Sequence, residues 1–158
     1  MIKPITKSEL KECLHILKEA YEAGAIRFGQ TEENCPYRGR TRLPLSVLEK
    51  EFFEGCQMYG YYKKDKLVGF LSLSFVEDIM KINDLAILPE HQSCGFGSEL
   101  MLHAKEEAER QKYKKISLGM IDDNLQLKKW YEKHGFKTKK LVKYDTVTYF
   151  VGEMECEV

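Results

Sequence analysis

The sequence is missing the patterns that mark several function classes. Its five cysteines (Cys13, Cys35, Cys56, Cys94 and Cys156) are odd in number and scattered, no CxxC pair occurs, and no His/Cys cluster has zinc-ligand spacing. They read as free thiols of a reducing compartment, so the expectation is a cytoplasmic protein without a metal. Residues 1–12 have no apolar core of the kind a secretion signal carries. No apolar run approaches the roughly 20 residues a membrane span needs. Neither sign of charge is in excess, since 25 lysines and arginines balance 25 aspartates and glutamates. That balance removes the basic excess usual in nucleic-acid binders. Two nucleotide signatures are also absent: there is no GxxxxGK[ST], and Leu100 stands where a GxGxxG motif would have its third glycine. Repeats, low-complexity tracts and interdomain linkers are lacking too.

What remains is an ordinary globular composition, 43% hydrophobic and 32% charged over 158 residues. The expectation is one domain spanning 1–158, long enough to bury a core. Thr6 and Glu9 have capping-box spacing, flanked by Ile5 and Leu10 as a hydrophobic staple. Leu10, Cys13, Leu14, Leu17 and Tyr21 then recur at helical spacing, and Gly24 weakens or ends that helix. Residues 25–44 read as an irregular solvated segment holding Arg27, Arg38, Arg40 and Arg42 with Glu32 and Glu33. A short helix follows over 45–54.

From Met58 the period changes to two. Strands are expected at 58–62 and 67–76, joined by the polar turn Lys63-Lys64-Asp65-Lys66, and a third at 80–88, ended by Pro89. Next comes a helix with Leu100, Ala104 and Ala108 inward and the pairs Lys105–Glu109 and Glu106–Arg110 outward. A strand at 115–121, a helix at 125–134 stopped by Gly135, and strands at 136–140 and 147–155 complete the chain. Antiparallel strands followed by a strand–helix–strand crossover imply an α/β fold, a mixed sheet with helices on both faces.

Two segments carry chemistry. Gln92-Ser93-Cys94-Gly95-Phe96-Gly97-Ser98 leads from a strand into a helix. Glycines there let backbone N–H groups approach an anion, and the first helical N–H groups are unpaired and lie at the positive end of the dipole. Together they suit a diphosphate. Asn124 opens the later helix, and Tyr131 follows seven residues on, two turns along one face. Taken singly, Asn124 is also a plain N-cap, Tyr131 a half-buried aromatic and Gly135-Phe136 a helix stop.

In this order, the two segments resemble the GNAT superfamily of acetyl-CoA-dependent N-acyltransferases. The first matches Q/R-x-x-G-x-G/A, with Leu85-Ala86-Ile87-Leu88-Pro89 similar to the family's central strand and its exit. Asn124 to Phe136 resembles N-x-x-A-x-x-[FL]-Y-x-x-x-G-F, departing from it at Leu127, where the family has alanine. The resemblance covers 82–136 through these motifs and 1–81 only through element order.

The resemblance implies that amides from Gln92 to Ser98, through Ser93, Cys94, Gly95, Phe96 and Gly97, hold the CoA pyrophosphate. It further implies that the main chain of Leu85 and Ile87 pairs with pantetheine, Asn124 bonds a pantetheine carbonyl, and the Tyr131 hydroxyl faces the thioester sulfur. The implied partners are acetyl-CoA and an amine, with no nucleic acid, membrane or metal, and a homodimer left open.

The reaction would be attack of a neutral amine on the thioester, with Tyr131, protonated at neutral pH, donating to the departing sulfur. Some family members place a glutamate four residues before the position of Leu85, where this chain has Lys81. Glu77, Asp78 and Asp84 are nearby carboxylates that read as strand-end or solvated charges, so the base stays unassigned. The contrasting reading is a GNAT-like acyl-CoA sensor that binds without transferring.

Overall fold

The computed structural model describes residues 1–27, 29, 31, 42–145 and 147–158. In chain order the elements are β1 (Ile2–Pro4), a 3-10 turn (Lys7–Glu9), α1 (Leu10–Arg27), α2 (Leu45–Phe53), β2 (Gln57–Lys63), β3 (Lys66–Val76) and β4 (Ile79–Ile87). A 3-10 turn (Pro89–His91), α3 (Phe96–Arg110), β5 (Lys115–Ile121), α4 (Leu125–Lys133), β6 (Lys137–Lys143) and β7 (Phe150–Glu157) come next. The strands make one seven-stranded sheet in the order β1-β2-β3-β4-β5-β7-β6. Among the described residues, only β4 and β5 run parallel, joined by the crossover through α3.

Helices cover both faces, as the element order implied. Leu10, Cys13, Ile16 and Leu17 of α1 and Leu48 of α2 bury against Met58, Leu67, Phe70 and Ala86 on one face. On the other, Leu100, Met101, Ala104 and Ala108 of α3 and Tyr131 of α4 bury against Leu71, Leu73, Met80, Ile116 and Met154. The Thr6 N–H donates to Glu9 Oε2 at 2.8 Å, so the capping-box residues meet at the entrance to α1.

Four expectations are corrected. β1 was not foreseen: three residues ending in proline are too short to show a period, yet Ile2 pairs with Tyr61 at the sheet edge. Gly24 does not end α1, which runs on to Arg27 because Ala25 is buried beneath it. The expected α3 ion pairs give way to others. Arg110 pairs with Glu107, three residues back, and Lys105 donates to the His134 carbonyl at the end of α4. The outer strands are also shifted toward the C-terminus, β6 to 137–143 and β7 to 150–157. Of the charged segment, Arg27 and Arg42 are exposed, while Cys35, Arg38, Arg40, Glu32 and Glu33 lie outside the described residues.

Two irregularities set the course of β4. Opposite β3, Ser72 pairs with Asp84 and Leu73 with Ile82, so Asn83 is an extra residue, a β-bulge. Because strand side chains alternate faces, this one insertion changes the phase. Met80 and Ile82 face α3 and α4, whereas Ala86 faces α1 and α2. The second irregularity is that β4 pairs with β5 only at Ile79–Lys115, Met80–Ile116 and Lys81–Ser117. Beyond those three pairs the strands no longer bond, and a wedge opens between 82–87 and 118–121.

Candidate active site

The wedge presents unpaired backbone along one side of β4. The Leu88 N–H bonds the Val68 carbonyl on β3 at 2.9 Å. Backbone groups alternate direction along a strand, so those of Ile87 and Leu85 point away from β3, into the wedge. Part of that edge is committed: Gln92 Nε2 donates to the Ile87 carbonyl at 3.1 Å, folding the loop back onto the end of β4.

The loop after β4 is held from several sides. Ser93 and Gly95 adopt positive φ of 62° and 87°, and Gly95 is the N-cap of α3. The left-handed conformation costs glycine little, and here it turns the chain into the helix. The first helical bond is from Glu99 N–H to the Gly95 carbonyl, 3.1 Å. The amides of Phe96, Gly97 and Ser98 therefore precede any intrahelical acceptor. The Gln92 N–H instead goes to the Pro89 carbonyl at 3.3 Å. Phe96 stacks on Tyr61, with centroids 4.4 Å apart, and the Tyr61 hydroxyl donates to Glu99 Oε2 at 2.9 Å. The Cys94 side chain is exposed.

The two motifs adjoin. A methyl group on Gly97 would lie 3.5 Å from Trp130 Cζ2 and 3.9 Å from Leu85 Cδ2. The open half of β4, the first turn of α3 and the residue beside Tyr131 thus meet at one point. Asn124 caps α4, its Oδ1 accepting from the Leu127 N–H at 3.0 Å. Tyr131, two turns on, is buried between Trp130 and Phe136, with ring centroids 5.2 and 5.9 Å away. Its hydroxyl has no hydrogen-bond partner among the described residues, and burial pushes the phenol up to about 12.

The three carboxylates near β4 separate. Glu77 and Asp78 are exposed in the β3–β4 turn, at the closed end of the wedge. Asp84 is 1% exposed, a correction to its reading as a solvated charge. The bulge turns its side chain toward α1, where the Tyr21 hydroxyl donates to Oδ1 at 3.4 Å. Its cross-strand neighbour Ser72 is fully buried, with an Oγ that finds no partner among the described residues.

His134 bridges α4 to the loop, a role that no sequence motif marks. Its Nδ1 lies 2.8 Å from the Trp130 carbonyl and its Nε2 3.2 Å from Ser98 Oγ. A histidine 36 residues from the serine it meets gives no local signal. Among the described residues, no three His, Cys, Asp or Glu side chains gather as a metal site.

A family model for the GNAT acetyltransferases matches residues 11–136. The chain belongs to the GNAT acetyltransferase family. It is therefore an acetyl-CoA-dependent acyltransferase. Solved structures agree in fold. The ribosomal-protein-S18-alanine N-acetyltransferase from Escherichia coli superposes with a TM-score of 0.79 at 16% identity, covering 99% of this chain and 92% of that one. The PaiA N-acetyltransferase from Thermoplasma acidophilum, in complex with coenzyme A, gives 0.75 at 16% identity over 100% and 98%. A GNAT family acetyltransferase from Elizabethkingia anophelis with acetyl-CoA bound gives 0.71 at 15% identity over 100% and 97%. This GNAT chain shares with them a mixed sheet flanked by helices.

Proposed function

We propose that this GNAT chain transfers the acetyl group of acetyl-CoA to a primary amine by direct attack, with Tyr131 as the acid that protonates the leaving sulfur. The observation carrying this reading is the meeting of three parts: the unpaired edge of β4, the glycine turn into α3, and the α4 segment that holds Tyr131. Pantetheine would lie in the wedge along Leu85 and Ile87. The pyrophosphate would rest on the amides from Ser93 to Ser98, with the Gln92 side chain bracing the loop, and Asn124 would offer its remaining amide donors to the pantetheine.

The amine lone pair attacks the thioester carbonyl carbon, the C–S bond breaks, and the sulfur takes the Tyr131 proton, which solvent then replaces. A phenol raised by burial is protonated at neutral pH and suits that donation. The N–H groups of β4 at the wedge would polarise the carbonyl. The proton lost by the amine goes to Asp84, the one carboxylate of the three near β4 that is buried beside the bulge. On this reading residues 1–158 act as one transferase domain in the cytoplasm, and among the described residues no helix is long and apolar enough to cross a membrane.

The deciding experiment incubates the protein with acetyl-CoA and a panel of amines (small amines, aminoglycosides, peptides with free N-termini or lysines) while following free CoA thiol. Amine-dependent thiol release supports transfer. Tight acetyl-CoA binding with no release for any amine would make the chain a sensor. Asp84→Asn separates the base assignment: kcat should fall by about 100-fold or more with acetyl-CoA affinity unchanged, and a kcat that stays within a few-fold of wild type removes Asp84 from the proton's path.

A further inference from the structure

His134 is a titratable side chain in contact with the loop that the mechanism does not use. Its ring is fixed on two sides. The indole of Trp130 lies against it, with centroids 4.2 Å apart, and Nδ1 lies 2.8 Å from the Trp130 carbonyl. A carbonyl oxygen only accepts, so Nδ1 must carry a hydrogen. In the neutral ring Nε2 is then the acceptor, and the Ser98 hydroxyl, 3.2 Å away, spends its proton on it. Ser98 stands in the first turn of α3, among the amides with no helical partner.

We propose that His134 is a positioning residue of the acetyl-CoA site, acting through Ser98, and that acetyl-CoA binds preferentially to the form in which His134 is an imidazolium. The inference rests on the pyrophosphate lying at this loop. With a neutral ring, Ser98 turns a lone pair toward the anion and its proton away. With the ring protonated, Nε2–H donates to Ser98 Oγ, the hydroxyl proton is released to donate to a phosphate oxygen, and a positive charge stands behind it. Charge-assisted hydrogen bonds of this kind are the stronger ones. Linkage makes the effect reciprocal: if the ligand prefers the imidazolium, ligand binding takes up a proton.

Other titratable groups stand nearby. From α3, the Lys105 ammonium donates to the His134 carbonyl, and from β7 the Cys156 thiol donates to the same atom at 3.7 Å. Glu132 and Lys133 flank it in sequence on α4. At the loop, His91 lies 6.4 Å from Phe96 between centroids, and Glu99 is bonded to Tyr61. His91 is the other histidine at the loop, and the His134→Gln variant separates the two contributions.

The test measures acetyl-CoA affinity by calorimetry at about pH 6 and about pH 8, in buffers of different ionisation enthalpy, for wild type, His134→Gln and Ser98→Ala. Glutamine offers amide donors and an acceptor but does not titrate. Wild type should bind about fivefold or more tightly at the lower pH and take up protons on binding. In His134→Gln the difference between the two pH values should collapse and the uptake disappear, whereas Ser98→Ala should weaken binding and reduce the slope. In turnover, the loss in His134→Gln should fall on KM for acetyl-CoA and leave kcat at saturation within about twofold. An unchanged pH slope in His134→Gln, or no proton uptake by wild type, overturns the proposal while leaving the acetyltransferase reading intact. Failure of wild type to bind acetyl-CoA at either pH overturns both.

Discussion

Replacing Tyr131 by phenylalanine removes one oxygen from a buried ring and leaves its packing against Trp130 and Phe136 in place. If the hydroxyl is the acid, kcat should fall by about 100- to 10,000-fold, while KM for acetyl-CoA and the melting temperature change little. The loss will sit at the lower end if the thiolate, with a pKa of about 8.5, departs largely unaided. Full kcat under rate-limiting chemistry would exclude Tyr131 as the donor. Its titration adds a second signature. Burial raises the native phenol to about 12, against about 10 in an unfolded chain. A raised native value contributes stability in full below pH ~10, and that contribution is lost as pH climbs toward 12. Tyr131→Phe should therefore lose less stability than wild type over that window in denaturant titrations. For the same reason, Tyr131 cannot cause a fall in kcat below about pH 10.

Gly97 lies where strand, loop and helix converge, so graded substitutions there test how much room the cofactor's path has. Its φ is not in the left-handed region, and a methyl group would make ordinary contact with Trp130 and Leu85. Gly97→Ala should fold and bind acetyl-CoA with a KM within a few-fold of wild type. Gly97→Val presses a branched side chain toward the indole and into the space beside the amides. Its KM should rise at least about tenfold, with stability lowered by no more than about 1–3 kcal/mol. Normal binding by the valine variant would put the pyrophosphate elsewhere.

The elements legible in the sequence were those with a strong local pattern: the capping box at Thr6 and Glu9, β5 at 115–121, and the α4 helix started by Asn124. The candidate site was legible where its parts are contiguous, as in Gln92 to Ser98. What escaped depends on contacts across the fold. β1 is a strand only because β2 offers an edge. Asp84 is buried only because Asn83 bulges and turns it under α1, an event with no mark in a string of single residues. Lys105 has a helical neighbour at the right spacing, yet bonds the end of another helix instead. His134 reaches Ser98 only after α4 packs on α3.

For the molecule as a whole, the family assignment predicts selective stabilisation. A ligand that binds only the native state at a hundred times its Kd adds about 2.7 kcal/mol, which for a chain of this size is a rise of roughly 5–10 °C in Tm. Acetyl-CoA should produce it. NAD and ATP should not, because the loop lacks the features of their binding motifs. No shift with acetyl-CoA up to millimolar concentration would contradict the assignment of this site.

The seam between β4 and β5 also has a mechanical side. Among the described residues, three residue pairs make the whole β-ladder between the antiparallel half formed by β1 to β4 and the antiparallel half formed by β5 to β7. Such a narrow join makes the sheet two leaves on a short spine, and pantetheine lying between them would act as a borrowed eighth strand. Breathing of the leaves should then be fast without ligand and slow with it, a rigidity gained with no new protein–protein contact. Amide exchange reads this directly. On adding acetyl-CoA, protection should rise at Leu85 and Ile87, on the open stretch, and hardly at all at Lys81, which the spine already holds. Equal protection along the whole of β4 would mean that the leaves move as one plate and the cofactor stitches nothing.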